Sequence, residues 1–190
     1  MKGLIFNLLE DFLDERCGAK GYDEILDAAE LANPEPGLMV GPGEYPDHDF
    51  TSLIATAAER LGVASNALLE EFGRTAITGL AQRYPQFFDS HAHPAEFLSS
   101  LGFIHLMEVR KLYQDAEPPK ITTTAMEDGG LRLTYSSGRR LCPFFSGLMN
   151  GVADYYCVPM RQRHTACVLR GDPECVFELT FDTSSAAGAP

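Results

Sequence analysis

Along this 190-residue chain the spacing of apolar residues first leaves the helical interval at Pro118-Pro119, and that change restricts the fold more than any other feature. Before it, apolar residues recur at helical intervals. Leu4, Ile5, Leu8, Leu9 and Phe12 share one face of a first helix, which Gly18 and Gly21 stop. Tyr22 to Ala32 reads as a second, short helix, and Asn33-Pro34-Glu35-Pro36-Gly37 with Gly41-Pro42-Gly43-Glu44-Tyr45-Pro46 as a loop. Asp49 or Thr51 is placed to cap a helix reaching about Leu61, and Ser65 to cap one that runs through Phe72 and Leu80 to Tyr84. Pro94 suits the first turn of a short helix that leads to His105. After the prolines, Ile121 to Met126 and Leu131 to Ser136 alternate around an Asp128-Gly129-Gly130 turn. Cys142 to Tyr156 returns to the helical period. Val158 to Leu169 and Cys175 to Phe181 read as a second hairpin. The expected class is α+β: a helical N-terminal lobe, then a C-terminal lobe with a small antiparallel sheet and one long helix, in a single domain over residues 1–181. Residues 182–190, rich in Ser, Ala and Gly, are expected to form a flexible tail.

Composition removes several function classes. The net charge is −12 and no basic stripe is present, which argues against a nucleic-acid partner. No apolar run approaches the ~20 residues that span a bilayer, so membrane insertion is not expected. The first residues are soon interrupted by Glu10 and Asp11 and lack a cleavage pattern, which places the protein in the cytoplasm. The five cysteines are an odd number, and Cys142, Cys157, Cys167 and Cys175 cluster late. In that compartment metal or redox chemistry is favoured over a disulfide framework. No nucleophile motif and no phosphate loop is present, so the chain reads as a binding module and not as an enzyme.

Two elements carry the chemistry. On a strand, Tyr135, Ser137 and Arg139 would share a face, and two hydroxyls with a guanidinium are suited to hold carboxylates. His105 lies on an apolar helical stripe with Leu101, Val109 and Leu112. Alone, such a histidine is more often a hydrogen-bonded core residue. Beside a carboxylate clamp it suggests haem between the two lobes, with iron on the imidazole and propionates on the clamp.

Met1-Lys2-Gly3, Ile104-His105 followed by Glu108-Val109-Arg110-Lys111-Leu112-Tyr113, Pro118-Pro119, and Tyr135-x-Ser137-x-Arg139 together resemble the H-NOX family, the haem nitric oxide/oxygen binding domain related to that of soluble guanylate cyclase. The resemblance implies haem b with His105 as iron ligand. It implies that Tyr135, Ser137 and Arg139 hold the propionates and that Pro118 presses on the macrocycle. Oxygen-binding members carry a distal tyrosine nine residues after the motif tyrosine. That position is Phe144 here, which has no hydrogen to donate to bound O2. Ile5, Leu9 and Leu148 are the expected apolar neighbours, and Asn7 or a rearranged tyrosine is the alternative donor. The resemblance therefore implies a nitric oxide sensor that signals by weakening the bond between iron and His105. Its implied partner is a separate histidine kinase or cyclic-di-GMP enzyme. A haem peroxidase is disfavoured, because no distal acid–base pair is apparent.

Cys142, His164, Cys167 and Cys175 present three thiols and an imidazole, a donor set for a closed tetrahedral zinc site. The spacing fits no standard finger, and buried free cysteines are an equal reading. A zinc-containing bacterial subset of H-NOX proteins resembles this chain at the four positions, which implies Zn2+. The alternative function is a zinc and cysteine redox sensor, with this cluster as the primary switch. Cys157 is left over. His91-Ala92-His93 and Asp47-His48-Asp49 read as solvated caps.

Overall fold

The computed structural model describes residues 1–33, 35, 39–109 and 118–182, with the side chains of 107–109 excepted. The helical lobe comprises α1 (Gly3–Cys17), α2 (Ala19–Ala28), α3 (Asp47–Leu61) and α4 (Ser65–Arg83). A short α5 (Pro85–Phe88) leads to α6 (Pro94–Phe103), which runs directly into a π-helical segment, Ile104–Val109. Then come β1 (Lys120–Ala125), β2 (Leu131–Ser136), α7 (Cys142–Tyr155), β3 (Met160–Ala166) and β4 (Cys175–Phe181). The expected α+β architecture is the observed one. Most of the tail, 183–190, and the His105-helix residues 110–113 fall outside the described residues.

Local chemistry moves several expected boundaries. Gly18, at φ 76°, ends α1 and opens α2, but Gly21 lies inside α2 and stops nothing. Helix α3 starts at Asp47 behind Pro46, so neither Asp49 nor Thr51 is its N-cap. The buried Asp49 carboxylate instead accepts the backbone N–H groups of Ala32 (2.8 Å) and Asn33 (2.9 Å), which ties the end of the preceding loop to α3. Ser65 is the first residue of α4, and its N-cap is Ala64. Pro94 does sit in the first turn of α6, capped by His93, whose Nδ1 accepts from the Ala95 N–H. Thus His93 is a cap, as the sequence suggests. The strand expected over 158–169 is confined to Met160–Ala166.

The sheet is antiparallel in the order β1-β2-β4-β3. Leu131, Leu133, Tyr135, Cys175, Phe177 and Leu179 alternate onto its buried face. Two apolar clusters result. One fills the helical lobe around Phe50, Phe72 and Leu9, and the other lies between the sheet and α7 around Phe177 and Met149. They meet along α4 and α7: Phe144 belongs to the first, Phe145 to the second, and Leu148 packs against both.

Glycines allow that meeting. A Cβ on Gly73 would overlap the Phe144 carbonyl oxygen, one on Gly147 the Glu70 oxygen, and one on Gly151 the Arg74 oxygen. The α4 and α7 backbones therefore touch, and the crossing locks the two lobes together. Gly147→Ala should force them apart and cost about 3 kcal/mol, lowering Tm by about 6–12 °C. Differential scanning calorimetry checks this, and an unchanged Tm would show that the crossing yields freely. Among the described residues, no helix is long and apolar enough to cross a membrane.

Candidate functional site

A cavity of about 330 Å³ opens between the two clusters, within the range of small-molecule sites. Its walls are mainly apolar. Ile5, Phe144 and Leu148, expected from the sequence, line it, as do Leu101, which the sequence places on the His105 stripe, and Leu80 and Phe145, which were not expected there. His105, Pro118, Tyr135, Ser137 and Arg139 line it too. One cavity thus gathers residues from α1, α4, α6, the π segment, β2 and α7. Leu9 is the exception: it is fully buried in the helical core and is not on the cavity wall. It lies one turn beyond Ile5, about 6 Å further along α1.

His105 is the second residue of the π segment, a geometry that often marks functional positions. Its Nδ1 lies 2.9 Å from the Leu101 carbonyl oxygen. A carbonyl only accepts, so Nδ1 carries the proton and the lone pair of the neutral ring is on Nε2. Burial lowers the His105 pKa and outweighs the opposing effect of the Leu101 bond. The ring is therefore held neutral, in one tautomer, with a nitrogen suited to a metal.

Strand geometry alone does not assemble the clamp. β2 ends at Ser136, and Ser137 and Arg139 come from the turn that follows, where Arg140 takes φ 54°. The Ser137 hydroxyl oxygen accepts the Arg139 N–H at 3.3 Å, and the Tyr135 hydroxyl hydrogen-bonds with Ser137. Tyr135 stacks on Phe145 with centroids 4.5 Å apart, and burial pushes its pKa up to about 12, so it stays a neutral donor. The Arg139 guanidinium pairs with Asp47 of α3, Nε lying 2.9 Å from Oδ2. Asp47 also takes a hydrogen bond from the amino group of Met1 at 2.6 Å. Burial pushes the Asp47 pKa up, but those two cations outweigh it and hold the carboxylate below its usual range. This pair joins a helical-lobe residue to one 92 positions later, and no sequence signal announced it.

Phe144 stacks on Phe72 (5.0 Å, 18°) and meets Phe50 edge-on. Asn7, the alternative donor, is engaged elsewhere: in the orientation that satisfies both its ends, its amide donates to the carbonyls of Met39 (2.7 Å) and Gly3 (3.1 Å). It does not line the cavity.

A second cluster lies at the start of α7. The Sγ atoms of Cys142, Cys167 and Cys175, all buried, lie within 4.8 Å of one another. Cys142 and Cys167 are 3.6 Å apart, and Val168 N–H donates to Cys175 Sγ at 3.4 Å. Burial pushes the Cys142 thiol up, with its two cysteine neighbours adding to the effect. Cys167 is the opposite. Burial would raise it, but hydrogen bonds from the Leu169 and Arg170 backbone and from Cys142 prevail and lower it. Three clustered cysteines, one of them easier to ionise than its neighbours, are a natural soft-metal donor set. His164 is not within this group. It shares the buried sheet face, but its ring stacks on Phe177 with centroids 4.0 Å apart, and its Nε2 is buried without a hydrogen-bond partner. Cys157 is exposed and apart from the cluster.

Comparison with known proteins agrees with this geometry. The chain matches the family model described as haem-NO-binding over residues 2–164. It is similar to an H-NOX protein from S. oneidensis crystallised in the Fe(II)NO ligation state, with a TM-score of 0.89 and 27% identity over 95% of this chain and 99% of that one. An NMR structure of an H-NOX domain from Shewanella oneidensis in the Fe(II)CO state gives a TM-score of 0.88 at 27% identity, over 96% and 99% of the two chains. The Fe(II) unliganded H-NOX protein from K. algicida shares the fold at 24% identity, with a TM-score of 0.81 over 96% and 97%. No curated protein matches the chain. With the family model covering most of its length, the chain belongs to the haem-NO-binding, or H-NOX, family.

Proposed function

We propose that the protein is a haem-based sensor selective for nitric oxide, which signals to a separate effector when the bond between iron and His105 weakens. The observation that carries this reading is the His105 imidazole, held neutral with Nδ1 on Leu101, on the wall of an apolar cavity that also presents Tyr135, Ser137 and Arg139. The residues fit haem b: an imidazole nitrogen for the iron, hydroxyls and a guanidinium for the propionates, and apolar walls for the macrocycle. When bound, the group would supply a ferrous iron with an open position for a diatomic gas. His105 would hold it, Arg139 and the two hydroxyls would orient it, and Pro118 would contact its face. Phe144, Ile5 and Leu148 would keep water out and offer bound O2 no donor. The relative crystallised with nitric oxide supports the choice of gas. A histidine kinase or cyclic-di-GMP enzyme is the proposed effector. Titrating the reduced, haem-loaded protein with nitric oxide and with O2 tests the selectivity. A nitric oxide complex without a stable O2 complex is expected, and a stable O2 complex would refute it.

Burial gives the His105 role a pH signature. A fully solvated histidine is half protonated near pH 6.5 and binds no metal in that form. Because the His105 pKa is lowered in the fold, the neutral ligand persists as pH falls through that value. The spectrum of the reduced, haem-loaded protein should therefore persist as the pH falls through about 6.5 and be lost only below that value. A spectrum that titrates away at the ordinary histidine pKa would contradict this.

The three clustered thiols favour a second, compatible element. We infer that Cys142, Cys167 and Cys175 hold zinc with His164 as fourth ligand, since its orphaned buried Nε2 lacks any other partner. Metal analysis should find one zinc per chain, abolished by Cys175→Ala and weakened about tenfold or more by His164→Ala. A His164→Ala protein that keeps full affinity would limit the site to the cysteines. In the rival function, oxidation of these thiols is the primary signal. Output to the effector that follows thiol oxidation in haem-free protein would favour it.

A further inference from the structure

We propose that the solvent face of the four-stranded sheet is a docking surface for an acidic protein partner. Alternation along the strands places Lys120, Arg132, Arg161 and Arg163 on this face, all exposed. The register aligns them: Arg132 and Arg163 flank Glu178 on β4 from either side, and Arg161 stands opposite Thr180. Glu178 binds both flanking arginines, Arg132 at 2.9 Å, and among the described residues is the one acid on the face. Most remaining outward positions are hydroxylic, such as Thr122, Thr124 and Thr134. Glu127, Asp128 and Asp182 lie in the hairpin turn or past a strand end, off the face.

This is a segregation of charge. The chain carries 27 acidic and 15 basic side chains, yet among the described residues four cations and one anion meet on a single surface. A sheet of four such strands presents about 20 by 20 Å. That is roughly half the area of one side of a standard interface, which suits a transient, salt-sensitive contact. The same geometry selects the class of partner. Among the described residues no aromatic side chain stands on the face to stack a base, as single-stranded nucleic-acid platforms require. A long polyanion or an anionic bilayer would extend past the patch onto the strongly acidic remainder of the molecule and be repelled. A compact acidic protein surface meets the cations alone. The contact would also be close to the cavity, because β2 carries Arg132 outward and Tyr135 inward. The proposal does not depend on the haem reading.

The test uses the full chain, isotope-labelled for NMR and titrated with a glutamate-rich peptide, with single-stranded DNA and with phosphatidylserine vesicles, at low and high salt. The peptide should shift the outward-facing residues of the four strands and weaken with salt. Arg161→Glu/Arg163→Glu should weaken it by at least about tenfold. Arg161→Gln/Arg163→Gln, which places no new acid beside Glu178, should weaken it less, and its amide spectrum reports whether the fold persists. Shifts elsewhere, unchanged binding in both variants, or DNA or vesicles binding as tightly as the peptide would overturn the proposal. So would self-association at low salt that the variants abolish, which would assign the face to a second copy of the chain.

Discussion

Phe144→Tyr is expected to give this protein a stable ferrous O2 complex that the parent does not form. Bound O2 carries partial negative charge, and a hydrogen bond to a charged acceptor in a dry site is worth about 1.5–3 kcal/mol. Through the dissociation rate, that corresponds to a slowing of about 10- to 150-fold. Phe144 lines the cavity, and no other described side chain from the α1 or α7 wall supplies a donor there. The added hydroxyl extends a ring that already stacks on Phe72 and touches Phe50, so only the para direction has to be accommodated. Stopped-flow release of O2 measures the effect. Nitric oxide affinity should change much less, and a variant that still fails to hold O2 would show that the para position faces the aromatic cluster and not the cavity.

His105→Gly should lower the haem content of purified protein by at least about tenfold, since even partners behind a metal ligand typically contribute 10- to 100-fold. Added imidazole should restore the spectrum, because it returns the nitrogen without the tether. The fold should persist, as His105 lies on the cavity wall. Far-UV circular dichroism separates a lost ligand from a lost fold. Haem retained at full occupancy with an unchanged spectrum would remove His105 from the ligand role.

Much of this molecule was legible in the order of its residues, for physical reasons that also mark where legibility ended. The first change in apolar period, at Pro118-Pro119, separates the helical lobe from the first hairpin because helix and strand bury their faces at different intervals. Tyr135, Ser137 and Arg139 could be grouped from spacing, although a turn and not a strand brings the last two to the cavity. Phase gave Ile5 and Leu148 correctly but not Leu9, since residues on one helical stripe still differ by a full turn along the axis. The three cysteines meet because α7 begins where β4 and the turn after β3 converge. The His164 ring, which lies on Phe177, depends on a rotamer that no spacing encodes. The Asp47–Arg139 pair and the basic sheet face depend on contacts and registers between distant segments. Such features become visible only when the strands and helices are laid side by side.

The claim on which the rest depends is that this cavity holds haem through His105. An absorption spectrum of the haem-reconstituted, reduced chain under argon tests it most directly, taken beside His105→Gly. A Soret band of five-coordinate ferrous haem that disappears in the variant and returns with imidazole is the predicted result. The absence of any Soret band in the parent chain after reconstitution, or a band indifferent to His105, would contradict it.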